Sequence, residues 1–129
     1  MPVLAWCIHL VQLASENSII ICTYGHAGEG LIHTSFLINP ESSQQWERAR
    51  KAVAEVFALT QSLGGTTSGE HGIGISKAPY FKKERSEILE MMRKIKRALD
   101  PHNILNPHKL MDAPDDFFTA TQLRYAIKE

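Results

Sequence analysis

His26 and His33 flank the glycine-rich stretch GHAGEG, and two imidazoles held this close can share one metal ion. SIIICTY at 18–24 and LIHTSFLIN at 31–39 are rich in β-branched and aromatic residues and predict two strands joined by that stretch. With Glu29 and Gly30 as a two-residue turn, Gly28 pairs with Leu31, Ala27 with Ile32, and His26 with His33. Directly opposed residues have Cβ atoms about 4.5–5.5 Å apart, which suits two imidazole nitrogens at ~2.1 Å from one zinc. Ordinary surface histidines fit the same letters.

A second constellation is Glu70 and His71 in SGEHGIG. Gly69, Gly72 and Gly74 remove side chains around a carboxylate and an imidazole, as a site needs where a ligand approaches closely. A polar turn without function explains these residues equally well. Gly69 and Gly74 have the GxxxxG spacing of a phosphate loop, but Ile75 stands where that motif needs lysine, and no GxGxxG fingerprint occurs. Together His26, His33, Glu70 and His71 offer three metal donors and a spare base, the economy of a catalytic site with an open coordination position. His9 reads as a helix-face residue, and His102 and His108 lie in a turn.

The elements that must position these groups follow from periodicity. Apolar residues at Val3, Leu4, Cys7, Leu10, Val11 and Ala14 predict a helix over 3–16 with Asn17 as its C-terminal cap. Trp6, Ile8 and Leu13 make its other face apolar too, which calls for cover on both sides, by a second copy of the chain or by another domain. Ser42 with Gln45 opens a second helix whose stripe is Trp46, Ala49, Val53, Val56, Phe57, Thr60 and Leu63, closed by Gly64 and Gly65. A third helix is expected from Glu84 to Leu99 with Ile88, Met91, Met92, Ile95, Ala98 and Leu99 inward. Pro101 stops it, because proline disfavours helical geometry in the residue before it. The order α, β, β, α, loop, α predicts an α+β fold, a small antiparallel sheet with helices packed on it and a C-terminal helical segment.

Fourteen basic and fourteen acidic side chains among 129 residues give zero net charge, so no field favours nucleic acid or anionic lipid. The composition, 43% hydrophobic and 22% charged, is that of an ordinary globular domain. Cys7 and Cys22, in apolar surroundings, read as reduced, buried thiols of a cytoplasmic protein. The opening run lacks a basic n-region and is far short of the ~20 apolar residues of a membrane span.

Three blocks resemble one family. YGHAGEGLIH at 24–33, TTSGEHGIG at 66–74 and RALDPHNILNPHKL at 97–110 are similar, in order and spacing, to motifs of FAD-linked oxidases of the vanillyl-alcohol oxidase fold. The branch is that of glycolate oxidase subunits, D-lactate dehydrogenases and D-2-hydroxyglutarate dehydrogenases. The resemblance implies that 1–110 is the C-terminal cap, substrate and metal domain, part of a ferredoxin-like cap, with 111–129 as a tail and the N-terminal FAD domain absent. It further implies that His26, His33 and Glu70 bind a divalent metal, zinc being the commonest choice. His71 would be the base that removes the substrate hydroxyl proton, and Asn106 and Lys109 would lie near the flavin or the domain junction, with no chemical step of their own. The chain would then be a fragment or split subunit of an FAD-dependent 2-hydroxy-acid dehydrogenase, needing an FAD-binding domain or subunit. Departures from the motifs are Leu31 for asparagine, Glu29 for aspartate and His108 for glycine. The alternatives are a stand-alone metal- or small-molecule-binding α+β module, and a structural remnant that forms a homodimer through its first helix.

Overall fold

The structure, a computed structural model, describes residues 2–115, with side chains in the first helix from Trp6 onward. The chain divides into two compact units, Met1–Gly65 and Thr66–Glu129.

The first unit is helix, hairpin, helix. Helix α1 spans Pro2–Asn17, strands β1 and β2 span Ile20–His26 and Leu31–Leu37, and helix α2 spans Ser43–Ser62. The core is built from Trp6, Leu10, Leu13, Ile19, Ala52 and Val56, with Cys7, Ile21, Ile32, Phe36, Ile38 and Leu59 packed against it. Trp6, Leu10 and Leu13 recur at helical spacing and so share one face of α1; each such side chain removed from water contributes about 1.5–3 kcal/mol. The Trp6 indole N–H donates to Thr60 Oγ1 at 3.2 Å, and the Thr60 hydroxyl donates to the Val56 carbonyl at 2.8 Å, so the buried edge of the ring keeps a polar partner.

One face of α1 is buried, and it draws on both apolar sets: Leu10 and Cys7 of the expected stripe, and Trp6 and Leu13 of the opposite one. Val11, assigned to the inner stripe, is 72% exposed, and Ile8 is 55% exposed. Hydropathy shows that a helix is apolar on two sides, but only the position of α2 and the hairpin selects Trp6, Leu10 and Leu13. Val3 and Leu4 carry side chains outside the described residues. The C-terminal cap also differs. The left-handed residue is Ser18 (φ 50°), not Asn17. The amides of Ser18 and Ile19 return to the carbonyls of Ser15 and Ala14, while the Asn17 side chain donates to the Leu13 carbonyl at 3.0 Å.

Helix α2 begins and ends as its letters predict. Ser42 Oγ accepts from the Gln45 amide at 3.3 Å. Gly64 adopts φ 77°, and the Gly65 amide reaches back to the Thr60 carbonyl at 2.8 Å, closing a Schellman turn. Ala49, Ala52, Val53 and Val56 are its buried residues.

In the second unit the single helix expected from Glu84 to Leu99 is replaced by two. Helix α3 spans Ala78–Glu84, Arg85 leaves helical geometry (φ −124°, ψ 33°), a 3-10 turn covers Ser86–Ile88, and helix α4 spans Leu89–Leu99. Pro79 in the first turn of α3 is the start signal the periodicity passed over. The inward stripe of α4 is corrected as well: no residue of α4 is buried, and Ile88, Met91, Ile95 and Leu99 are exposed. The pattern is there, but no described element covers it. Of the 111–129 tail, 116–129 lie outside the described residues; Leu110–Asp112 form a 3-10 turn.

One further expectation changes. Cys22 is exposed and Cys7 half-buried, both free, because Cys22 falls on the sheet face opposite the core. Among the described residues no helix is long and apolar enough to cross a membrane.

Candidate metal and catalytic site

The hairpin register moves by two residues from the expected one. Three residues, Ala27–Glu29, turn as a 3-10 helix and Gly30 sits in the left-handed region (φ 71°, ψ 15°), so the loop takes four residues rather than two. His26 therefore pairs with Leu31, and His33 pairs with Tyr24. A shift of two leaves every side chain on its original face, so His26 and His33 still share a face, now as diagonal neighbours. That face also carries Ile20, Cys22, Tyr24, Leu31, Ser35 and Leu37, while Ile21, Ile32 and Phe36 point to the core. The histidines are thus on the open side of the sheet, with His26 exposed and His33 half-buried.

A nitrogen of His26 and one of His33 lie within 4.8 Å of each other. Their ring centroids are 6.3 Å apart with planes at 76°. Side-chain rotation closes such a gap to two bonds of ~2.1 Å to one ion, and two imidazoles are donors common to zinc, manganese and iron. Tyr24 stacks on His33 from the paired position, centroids 5.0 Å apart and planes inclined by 28°. Sequence reasoning missed Tyr24, because only the true register puts it opposite His33.

Gly25 explains why a glycine must precede His26. Its φ is 153°, and a Cβ built there would stand 2.3 Å from the Leu31 carbonyl oxygen and 3.0 Å from Ile32 Cα. Strand β2 passes too close for any side chain.

In the second unit Glu70 and His71 lie in the expected loop, where Gly72 and Gly74 adopt φ of 70° and 59°. His71 Nε2 is 3.4 Å from Glu70 Oε1, with both side chains largely open to solvent. The loop is fastened at both ends. At its start Glu84 accepts the Thr66 hydroxyl at 2.5 Å and the Thr67 amide at 2.7 Å. At its end the Gly74 carbonyl accepts the Leu110 amide at 3.1 Å, which ties the NPHKL block to the Glu-His loop. Burial raises the Glu84 carboxyl pKa, but the hydrogen bonds from Thr66 and Thr67 and the charge of Arg85 outweigh it and hold the group below its ordinary value.

The DPHNILNP turn is organised by Asp100. Its Oδ1 accepts the Ile104 amide and its Oδ2 the Leu105 amide, each at 2.9 Å, and the Lys96 ammonium donates to the same carboxylate. Lys96 also donates to the Leu105 carbonyl at 2.7 Å. Asn103, Asn106, His108 and Leu110 all have φ between +48° and +58°. The residue that departs from the family's glycine, His108, therefore occupies a backbone position that favours glycine. Asn106 and Lys109 are exposed at this turn.

Fold and site together define an α+β domain in which His26, His33, Glu70 and His71, groups able to titrate or to ligate a metal, sit on or beside glycine-rich loops. The chain belongs to the family described as FAD linked oxidases, C-terminal domain, whose model matches residues 4–110. It is similar to the glycolate oxidase subunit GlcD of Bacillus subtilis, 43% identical over 100 residues that make up 77% of this chain and 21% of that protein. It is similar to the mitochondrial D-lactate dehydrogenase (cytochrome) of Arabidopsis thaliana, 38% identical over 111 residues, 80% of this chain and 20% of the relative. A D-lactate dehydrogenase of Archaeoglobus fulgidus is 42% identical over 100 residues, 78% of this chain and 22% of the relative. The chain thus spans about a fifth of the length of these relatives.

Proposed function

We propose that the chain supplies the metal site and catalytic base of an FAD-dependent 2-hydroxy-acid dehydrogenase of glycolate or D-lactate type, acting with a flavin-binding domain or subunit. The functional domain is 1–110, and 111–129 is a tail. The observation that carries the reading is the His26–His33 pair, brought to one open sheet face with nitrogens within 4.8 Å, in a chain whose relatives are FAD-linked oxidoreductases. His26, His33 and Glu70 hold a divalent metal, zinc in the first instance, by a donor set of two imidazoles and one carboxylate. When bound, the metal and the flavin supply Lewis-acid polarisation of the hydroxy acid and a two-electron acceptor.

His71 is the base. Its Nε2 lies 3.4 Å from Glu70 Oε1, and its imidazole accepts the proton of the substrate hydroxyl. Asn106 and Lys109 face the flavin, a reading supported by the Leu110–Gly74 hydrogen bond that links their turn to the Glu70–His71 loop. The protein works in the cytoplasm, and the exposed Ile8 and Val11 of α1 mark the surface where a second copy would pack.

The test is elemental analysis of the purified chain and of His26→Ala with His33→Ala. About one divalent ion per chain, lost in the double variant, is expected; no ion in either would sink the metal reading. Mixing with a flavin-binding domain of a relative should then restore oxidation of glycolate or D-lactate, and should fail with His71→Ala.

A further inference from the structure

We infer that Glu84 is a positioning residue that sets the Glu70–His71 loop in place, an inference that rests on the role proposed above for those two residues. Glu70 and His71 are largely exposed, and Gly69, Gly72 and Gly74 give their loop little conformational resistance of its own. Something outside the loop must hold it, and the described contacts identify what does. Glu84 closes α3, and its side chain is only 10% exposed. One carboxylate oxygen, Oε1, accepts the Thr66 hydroxyl at 2.5 Å and lies 3.2 Å from Arg85 Nε; the other accepts the Thr67 amide at 2.7 Å.

The clamp continues toward the site. Thr66 Oγ1 donates to Glu84 and in turn accepts the Ser68 amide at 3.3 Å, so two successive backbone amides before Gly69, those of Thr67 and Ser68, are held by one carboxylate, directly or through Thr66. Thr67 is 3% exposed, which leaves its amide no water to fall back on if the carboxylate is removed. Both carboxylate oxygens are in use as acceptors, a task that an amide side chain of the same shape cannot repeat, because its nitrogen only donates. Glu84 therefore fixes where the loop starts, the Leu110 amide on the Gly74 carbonyl fixes where it ends, and the Glu-His pair is presented between two anchors.

The experiment compares the full chain with Glu84→Gln and Thr66→Val. Without metal, amide hydrogen exchange over Thr67 to Gly74 should quicken by about tenfold in Glu84→Gln, the loss expected from one charge-assisted hydrogen bond, and by less in Thr66→Val. Exchange in β1 and β2 should stay as in the wild type. Titration with zinc or manganese should show a matching weakening of about tenfold in Glu84→Gln, while Glu84→Asp recovers part of it. Unchanged exchange in the loop would overturn the inference, and so would a loosened loop that binds the metal as tightly as before. A wild-type chain that takes up no ion would remove the metal reading instead; loop exchange alone then decides whether Glu84 holds the pair. Should Glu84→Gln fail to fold, Thr66→Val carries the same two readouts, removing the hydroxyl's bonds to Glu84 and from the Ser68 amide while leaving the Thr67 amide on the carboxylate.

Discussion

The phenol ring of Tyr24 lies stacked on the imidazole of His33, centroids 5.0 Å apart, because β1 and β2 place the two residues directly opposite each other. Such a contact contributes about 0.5–1.5 kcal/mol beyond area burial and restricts the imidazole to a narrow range of rotamers. Tyr24→Ala frees His33 to rotate away from His26, and metal affinity should fall by roughly fivefold to tenfold, the equivalent of ~1 kcal/mol. Tyr24→Phe keeps the stack and should bind as the wild type does. Calorimetric titration of both variants with zinc checks this; equal weakening in the two would mean that the hydroxyl, not the stack, matters.

The NPHKL turn holds a residue its backbone does not favour. His108 has φ 58°, a left-handed conformation that costs a residue with a Cβ about 1–2 kcal/mol, against about 0.5–1 kcal/mol of extra chain entropy that glycine loses on folding. His108→Gly should therefore stabilise the chain by up to about 1.5 kcal/mol in urea unfolding. Asn106→Gly, at φ 48°, should gain less, since asparagine tolerates the left-handed region. A destabilised His108→Gly would show that the imidazole makes a contact worth more than the strain.

Acid should unfold the second unit through its paired carboxylates. The hydrogen bond from Lys96 first, then those from the Ile104 and Leu105 amides and the Lys96 charge, outweigh burial and hold the Asp100 carboxyl below its ordinary value. Glu84 is likewise depressed, and so is Asp115, through the Lys82 ammonium that donates to it at 2.8 Å. A carboxyl depressed in the folded state releases its proton more readily there than in the unfolded chain. Its contribution is complete above the unfolded value and is lost as pH falls through the folded one. Melting temperature should hold steady near neutrality and decline once pH drops below the ordinary carboxylate range. Asp100→Asn should lower it at pH 7 and flatten the decline, because asparagine keeps the shape but cannot answer the Lys96 charge; an unaltered acid profile would remove Asp100 from the account.

Much of the first unit could be read from local signals. Ser42, Gly64 and Gly65 punctuate α2 by chemistry confined to a few consecutive residues, and the two β-prone runs became strands for the same reason. The residue types able to do chemistry, His26, His33, Glu70 and His71, were legible because glycines around them are conspicuous. What local signals could not deliver was register. The choice between a two-residue and a four-residue loop depends on the geometry of Ala27–Gly30, and it replaced His26 by Tyr24 as the neighbour opposite His33.

The sequence by itself determined which residues could bind and transfer, the α+β order of elements, and the faces on which strand residues lie, since alternation along a strand survives a shift of two. Only the tertiary structure decided which face of α1 is buried, since Trp6, Leu10 and Leu13 win over Val11 through the placement of α2 and the hairpin. It also decided that the helix from Glu84 is broken at Arg85, that Glu84 reaches back 17 residues to the Thr67 amide, and that the Gly74 carbonyl takes the Leu110 amide. These are contacts between segments distant in sequence, and periodicity records only neighbours.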